Sequence, residues 1–266
     1  MNADVKRENS VKSILKAFQI IEALDRFGEL SIAQLSQALS MDKTTVHRLI
    51  RTIKEAGYIV QNPYTRKYSN SIKLFTIGSS IIERTGLKEI ARPYLETLAS
   101  ETKETINLSM HSGNTIVYVD KIESNSAIKV GIKTGTALPM YCTGMGKAIL
   151  AFLPEDIQNE ILDNTGFQKR TEKTIASREA LIDQLNVVRK NGYANDGEEY
   201  VDGLISFAAP IFDYRNNPVA ALSISMPKLR YNEAENREYY VNLVKNTATV
   251  LSKELGNANP LHEHIL

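Results

Sequence analysis

The sequence predicts an α+β protein of two domains, and three observations support this fold class. At 266 residues, 42% of them hydrophobic, the chain is long enough for two hydrophobic cores. Apolar residues recur mainly at helical spacing in the first hundred residues, and the period changes to strand alternation from Ile106 onward. Residues 1–75 carry 12 Lys and Arg against 7 Asp and Glu, whereas the remainder carries 20 against 24. A basic first part and a mildly acidic remainder indicate two modules with different tasks.

Two helices are predicted before residue 40, after a polar N-terminal stretch of residues 1–10 that we expect to fray. The first ends before Gly28 and carries apolar residues at helical spacing, namely Ile14, Leu15, Phe18, Ile21 and Leu24. The second is short. Ser31 is its predicted N-cap, with Gln34 three residues later in a capping-box arrangement.

A third helix follows a tight turn and has one apolar and one basic face. Asp42 is its predicted N-cap and Gly57 closes it. Its core stripe consists of Val46, Leu49, Ile50 and Ile53. This order of elements predicts a helix-turn-helix whose second helix enters the DNA major groove. The candidate DNA-binding residues of that helix are Lys43, Thr44, Thr45, His47, Arg48 and Arg51. Such a charged face is also typical of a helix that simply faces solvent.

A short hairpin with a basic tip is predicted directly after this helix, where a winged helix has its wing. Ile59–Gln61 and Tyr68 flank the turn-rich stretch that contains Arg66 and Lys67. We expect these two residues to contact the phosphate backbone, although basic loop residues also serve solubility alone.

The apolar residues of 72–84 predict a further helix with more hydrophobic surface than a connector needs. It either folds back on its own winged helix or, as we favour, pairs with the same helix of a second subunit. Thr85–Gly86 breaks the pattern. The predicted domains are therefore a DNA-binding domain of residues 1–71, a linker and dimerisation helix of residues 72–86, and a second domain of residues 87–266.

The second domain is predicted to contain a central, mostly antiparallel sheet flanked by helices. A helix from Leu87, interrupted or displaced by Pro93, precedes a hairpin around residues 112–114. The other predicted strands are Ala127–Ile132, Ile205–Phe212 and Val219–Met226, and helices are predicted near residues 146–153, after Pro154, over Ser177–Lys190 and after Asn232 with Glu235.

Residues typical of hydrolases, transferases and metal sites are scarce. No metal-ligand spacing, P-loop or nucleophile elbow occurs, so we expect no metal, no cofactor and no catalysis. His262 and His264 lie in a polar tail, and Cys142 lacks a partner base. Adjacent Glu198 and Glu199 are most simply surface charges. With one cysteine there is no intramolecular disulfide, and with no long apolar segment the reducing cytoplasm is the expected compartment.

A small-molecule pocket is better supported than an active site. The glycines of Thr143–Lys147 lead into a helix, where backbone amides can converge on a carboxylate. Ser223 and Ser225 lie two apart on a strand and face the same side of the sheet. Buried hydroxyls need partners, which indicates either a polar cavity or hydrogen bonds to neighbouring backbone.

From about Ser10 to Gly256 the chain resembles the IclR family of bacterial transcriptional regulators. The signatures that carry the resemblance are Asp42–Leu49, Ala91-Arg92-Pro93, Thr143–Ala148 and Ala208–Asp213. The resemblance implies a winged helix-turn-helix, a dimerising linker helix, and a GAF-like domain that binds a small effector. It also implies homodimers or dimers of dimers on operator DNA. We expect a repressor of a catabolic operon; an activator, or a sugar-acid enzyme with a DNA-binding appendage, are the alternatives.

Effector contacts are likewise implied by the resemblance, position by position. They are the backbone of Gly144 and Met145 and the side chains of Asp196, Ser206, Ser223 and Ser225. Ser206 departs from the family, which commonly has cysteine there. Glu198 and Glu199 would support the loop. Residues 72–75 and 171–175 are similar to the KdgR-like branch, which implies a 2-keto sugar acid such as 2-keto-3-deoxygluconate as the effector.

Overall fold

The computed structural model describes residues 11–258. The polar stretch before residue 11 and the two histidines at 262 and 264 lie outside the described residues. The chain is divided into two compact units, Met1–Arg84 and Thr85–Leu266. No helix among the described residues combines the length and the apolar character needed to cross a membrane.

The N-terminal unit is a winged helix-turn-helix, as predicted. Its core lies between three helices and a two-stranded sheet and includes Ile20, Leu35, Val46, Ile50 and Ile59. The elements in chain order are α1 (Lys12–Phe27), α2 (Ile32–Ala38), α3 (Lys43–Glu55), β1 (Ile59–Gln61), β2 (Tyr68–Asn70) and α4 (Ile72–Glu83).

Helix boundaries in this unit follow the predicted capping residues. Ser31 accepts from the amide of Gln34, whose side chain accepts from the amide of Ser31 in return. Asp42 Oδ1 accepts from the amide of Thr45 at 2.7 Å. Gly57 takes φ of 82° after α3, a conformation in which a side chain would be strained. These local bonds satisfy helix-end amides that would otherwise lack partners.

The wing is joined to the α1–α2 connection by backbone hydrogen bonds. Leu30 N donates to Tyr68 O at 3.0 Å, and Tyr68 N donates to Leu30 O at 2.8 Å. Thr65 Oγ1, near the tip, also donates to Glu29 at 3.0 Å. The position of the hairpin on the helices is thus set mainly by main-chain atoms.

Two apolar surfaces of this unit stay exposed. On α1 the buried positions are Ile20, Ala23 and Leu24, whereas the first apolar residues of the predicted stripe, Ile14, Leu15 and Phe18, are more than half exposed. The apolar stripe of α1 therefore packs on the core only in the second half of the helix. Helix α4 buries none of its residues, and Ile72 and Phe75 are 78% and 70% exposed.

The C-terminal unit is built on a six-stranded antiparallel sheet in the order β5-β4-β3-β8-β7-β6. Its elements are α5 (Leu87–Thr102), β3 (Thr105–Ser112), β4 (Thr115–Ile122), β5 (Ala137–Pro139), α6 (Gly144–Leu150), α7 (Glu155–Asp163), α8 (Arg178–Asn191), β6 (Ala194–Gly197), β7 (Leu204–Phe212), β8 (Pro218–Pro227), a 3-10 turn (Lys228–Arg230) and α9 (Glu233–Glu254).

Helices cover both faces of this sheet, so strand residues of both parities are buried. Phe207 stacks on Tyr240 of α9 with ring centroids 6.2 Å apart. Ala194, Ala208 and Ala221 belong instead to the cluster around Ile149 of α6, on the opposite face. Every residue of β7 is buried. The predicted GAF-like arrangement is confirmed, and the α6 face is the one that carries the polar strand residues described below.

The predicted strand Ala127–Ile132 is wrong, because this stretch is a loop and the edge strand β5 begins only at Ala137. Its carbonyls are taken by cations rather than by a neighbouring strand. Lys121 Nζ donates to Val130 O and Ile132 O at 3.0 and 2.8 Å, and Arg230 donates to Ile128 O at 2.8 Å.

Smaller differences concern α5 and α9. Helix α5 starts at Leu87 and continues through Pro93, so the proline does not displace its start. Asn232 caps α9 by accepting from Ala234 N at 3.2 Å. In return, Asn232 N donates to Asn236 Oδ1 at 3.1 Å and not to the side chain of Glu235.

Candidate functional site

Helix α3 presents its predicted DNA-binding side chains to solvent. Val46, Leu49, Ile50 and Ile53 are buried, as the spacing predicts. Lys43, Thr44, His47, Arg48 and Arg51 are exposed, and Thr45 is half-buried. Arg51 forms an i,i+4 ion pair with Glu55 at 2.9 Å, whereas Arg48 forms no ion pair within the described chain. The bond from Thr45 to the Asp42 carboxylate lowers the pKa of Asp42.

The wing tip carries the two predicted phosphate contacts. Arg66 is exposed and takes φ of 60°, and Lys67 is half-buried just before β2. Gln61 donates to Arg66 O at 3.0 Å, which holds the turn. Sequence reasoning gave no role to Tyr64, which is 94% exposed at the tip. An aromatic ring in that position adds a polar and stacking group to the basic wing.

In the C-terminal unit all six residues expected to contact an effector line one cavity. Gly144 and Met145 come from the start of α6, Asp196 from β6 and Ser206 from β7, and β8 contributes Ser223 and Ser225. The other lining residues, none of which was predicted as an effector contact, are Tyr118, Ile132, Leu138, Thr143, Tyr200 and Leu204. The recess measures about 260 Å³ when the open space at its entrance is included, and its enclosed part admits about one water molecule.

Strand register explains why residues so distant in sequence meet here. Asp196 lies opposite Ser206, and Ser206 lies opposite Ser225, across three neighbouring antiparallel strands. Opposite residues of antiparallel strands point to the same face. The cavity therefore has a polar floor formed by a single row of the sheet, and α6 covers it.

The two serines of β8 are held by a side chain and not by backbone. Asn107 Nδ2 donates to Ser223 Oγ and to Ser225 Oγ, each at 3.1 Å. The two hydroxyl oxygens are 3.3 Å apart. Asn107 lies opposite Ser223 on β3 and is fully buried. The sequence signal that could have found it is the alternation Thr105, Asn107, Ser109, a polar series on a strand that is buried on both faces.

Asp196 is a buried acid with an unusual affinity for protons. Its Oδ1 accepts from the amides of Glu199 and Tyr200 at 2.6 and 3.4 Å. Burial, and then the nearby charge of Glu199, raise the pKa of Asp196 to about 7. The two amide bonds oppose this shift but do not cancel it. The group can therefore lie beside an anion in its neutral form near neutral pH.

Glu198 and Glu199 are not surface charges, because both carboxylates are buried in ion pairs. Glu199 pairs with Lys147 of α6, whose side chain is 0% exposed. Glu198 accepts from Lys173 and Lys228, and these bonds lower the pKa of Glu198 to about 2. The two acids anchor the loop between β6 and β7 to different partners, which agrees with the supporting role that the family resemblance implies.

The two glycines of α6 are required by close packing. A Cβ on Gly146 would lie 2.4 Å from Met140 Cα, and one on Gly144 would lie 2.9 Å from Ser206 Oγ. Gly146 thus lets the helix pass over the Met140 backbone, whereas Gly144 keeps open the space between α6 and the serine row. The first hydrogen bond of the helix runs from Lys147 N to Thr143 O at 2.9 Å, so the amides of Gly144 and Met145 precede it.

The remaining chemical candidates form no site. Cys142 is fully buried, and burial raises the pKa of its thiol to about 11, so it is a poor nucleophile. Burial lowers the pKa of His111. In the described part of the chain no group of three or more His, Cys, Asp or Glu side chains could hold a metal ion.

Comparison with known proteins assigns both units. Residues 13–63 match the family described as the IclR helix-turn-helix domain, and residues 79–253 match the bacterial transcriptional regulator IclR C-terminal family. The chain is 38% identical to the HTH-type transcriptional regulator KdgR of Escherichia coli (strain K12), over 96% of this chain and 97% of that protein. It is 37% identical to KdgR of Dickeya chrysanthemi, over 94% and 82%. The crystal structure of Thermotoga maritima IclR covers 93% of this chain and 100% of its own, with 30% identity and a TM-score of 0.68.

Proposed function

The chain belongs to the IclR family of bacterial transcriptional regulators, and on this premise we propose that it represses a catabolic operon until a small carboxylate effector binds. It is a DNA-binding regulator and not an enzyme. The observation that carries the effector proposal is the row of Asp196, Ser206 and Ser225 beneath the start of α6. Polar groups from four elements converge there on one cavity.

The DNA contacts divide by their position on the N-terminal unit. Lys43, Thr44, Thr45, His47 and Arg48 occupy the first turns of α3, which a helix-turn-helix directs at base edges. Arg51 is further along the helix, and Arg66 and Lys67 are on the wing. We assign these last three to the phosphate backbone, where they add affinity and salt dependence without reading sequence.

The effector that fits this chemistry is a hydroxylated 2-keto acid, such as the 2-keto sugar acid implied by the KdgR relatives. Amides of Gly144 and Met145 would bind its carboxylate, and the serines its keto and hydroxyl oxygens. Because the pKa of Asp196 is about 7, this side chain can take up a proton, and in its neutral form it does not repel the anion. Ile132 and Tyr200 line the cavity from outside the helices and strands. We therefore expect these two side chains to move when the ligand binds.

We further propose a homodimer, or a dimer of dimers, in the cytoplasm. The apolar residues of α1 and α4 support self-association, because contiguous exposed apolar surface commonly marks protein interfaces. Phe75 on α4 and Phe18 on α1 are exposed by 70% and 57%. Sedimentation velocity of the wild type and of Phe75→Glu measures this directly. A wild type that stays monomeric at micromolar concentration would contradict the dimer.

The experiment that tests the main proposal combines an effector panel with operator footprinting. Thermal shift with keto acids and sugar acids identifies a ligand. Footprinting and run-off transcription on the protein's own promoter region then show whether that ligand relieves protection and raises transcript. We expect loss of protection with a 2-keto sugar acid. If the ligand instead strengthens protection of the promoter DNA and the amount of transcript rises, the protein is an activator and not a repressor.

A further inference from the structure

Ser223 and Ser225, which line the cavity, are both oriented by one amide group. Asn107 Nδ2 donates to Ser223 and to Ser225. An asparagine amide nitrogen carries two hydrogens, so these two bonds use both of them. Each serine oxygen therefore acts as an acceptor toward Asn107, and its own hydrogen has to be donated elsewhere.

The hydroxyl hydrogens cannot both be satisfied within this trio. One serine can donate to the other across 3.3 Å, but the second hydrogen then has no acceptor among the three side chains. Both serines line the cavity, whereas Asn107, beside them on the neighbouring strand β3, is not among the lining residues. Buried hydroxyls find partners. We propose that Asn107 is a positioning residue that makes Ser223 and Ser225 hydrogen-bond donors toward the cavity. Asn107 thereby selects an effector with an acceptor-only oxygen, such as a keto oxygen, next to these serines.

The surroundings of Asn107 favour this orientation of the amide. Its Oδ1 has no hydrogen-bond partner among the residues the structure describes. Lys121, opposite Asn107 on β4, directs its Nζ to Glu123, Val130 O and Ile132 O instead. A 180° flip of the Asn107 side-chain amide would place its two N–H groups where Oδ1 now lies without a partner. Buried donors without partners are rarer than under-satisfied carbonyls, so the observed orientation is the less costly one.

This inference rests on the proposed effector site and makes its specificity definite. A keto oxygen only accepts hydrogen bonds, so it is fully satisfied beside two serine hydroxyls that donate. A ligand hydroxyl in the same place can accept, but its own hydrogen then has to find another acceptor. Ser206, opposite Ser225 and not bonded to Asn107, can offer one. The expected discrimination is therefore about tenfold, at the lower end for a polar group left without a partner.

The test is calorimetric titration of the full chain with a matched ligand pair, 2-keto-3-deoxygluconate and its 2-hydroxy reduction product. The variants are Asn107→Leu, Asn107→Asp and the control Ser109→Ala. Ser109 is two residues along the same strand, equally buried, and its hydroxyl bonds neither serine. We expect the wild type and the control to prefer the keto acid about tenfold. Asn107→Leu should abolish the preference, and Asn107→Asp, which only accepts from the serines, should reverse it.

An unchanged keto preference in Asn107→Leu or Asn107→Asp would overturn the inference. Neutron diffraction from deuterated crystals of the wild type gives an answer that needs neither ligand nor variant. Deuterium between Asn107 Nδ2 and both serine oxygens is expected, and an amide oxygen facing the serines refutes the proposed polarity. If neither ligand binds the wild type, the proposed effector class fails, while the neutron map still decides the role of Asn107.

Discussion

Replacing Lys147 by Met removes the positive charge that pairs with Glu199 in the described structure. Lys147 is fully buried, and the Glu199 side chain is 11% exposed. Glu199 Oε2 has no hydrogen-bond partner among residues 11–258, and the negative charge of Glu199 helps raise the pKa of Asp196. Breaking a buried pair from one side typically costs about 3–5 kcal/mol, because the remaining charge has lost both water and its partner. We expect a loss of this size for the C-terminal unit at pH 8.

Urea unfolding followed by far-UV circular dichroism, fitted with a separate transition for each unit, measures this loss. The double variant Lys147→Met with Glu199→Gln should recover to within about 1 kcal/mol of the wild type, since neither charge remains. Lys88→Met is the matched control. Lys88 is half exposed and 3.9 Å from Asp120, so its loss should cost about 1 kcal/mol at most. If Lys147→Met behaves like the control, water reaches the pair and the buried-charge reasoning is refuted.

Three further predictions address DNA binding, the effector and pH. Arg48→Ala should cost about 1–3 kcal/mol of binding free energy at the operator and relax specificity. Arg66→Ala should weaken binding to all sequences alike and reduce the slope of log K against log salt by about one for each phosphate that is no longer neutralised. Fluorescence anisotropy on operator and random DNA separates the two effects, and equal proportional losses in both variants would contradict the assignment. Ser225→Ala should lower effector affinity about tenfold to a hundredfold in calorimetry and leave DNA binding without effector unchanged; an unchanged affinity would place the effector elsewhere. Folding raises the pKa of Asp196 from 3.8 to about 7. Between these two values the folded state holds a proton that the unfolded state has released, so the free energy of unfolding should fall by about 4 kcal/mol as the pH rises from about 4 to about 7. Asp196→Asn should remove that slope from urea midpoints across this range, and an identical slope in the variant would show that other groups cause it.

The sequence predicted best those elements whose signals are local. The capping box at Ser31 and the N-cap at Asp42 specify helix starts through bonds between residues three apart, and both appear as predicted. The apolar stripe of α3 likewise follows from helical spacing alone. Such signals need no knowledge of the rest of the chain.

Elements defined by distant partners were harder to predict. The alternation in residues 127–132 resembles a strand, but a strand needs a neighbour, and Lys121 and Arg230 bind its carbonyls instead. Conversely, β6 contains Asn195, Asp196 and Gly197, residues that are rare in strands, and it forms because β7 offers a free edge. Tertiary pairing outweighed propensity in both cases.

The same division applies to the candidate site. Family resemblance pointed to the serines and Asp196, and period two placed Ser223 and Ser225 on one face. Asn107 and Lys147 were missed because their importance lies in burial and in partners 116 and 52 residues away. Adjacent glutamates suggest surface charge, and only the positions of Lys147, Lys173 and Lys228 show that they are structural.

The main-chain bonds between Leu30 and Tyr68 make the tip of the wing replaceable. Because peptide groups hold the wing, residues 62–67 can be exchanged without moving the hairpin relative to α3. A tip taken from another winged helix would then inherit the same approach to the groove edge. DNA binding can in this way be altered in two independent steps, its sequence preference on the exposed face of α3 and its strength at the tip, and neither step disturbs the hydrophobic core.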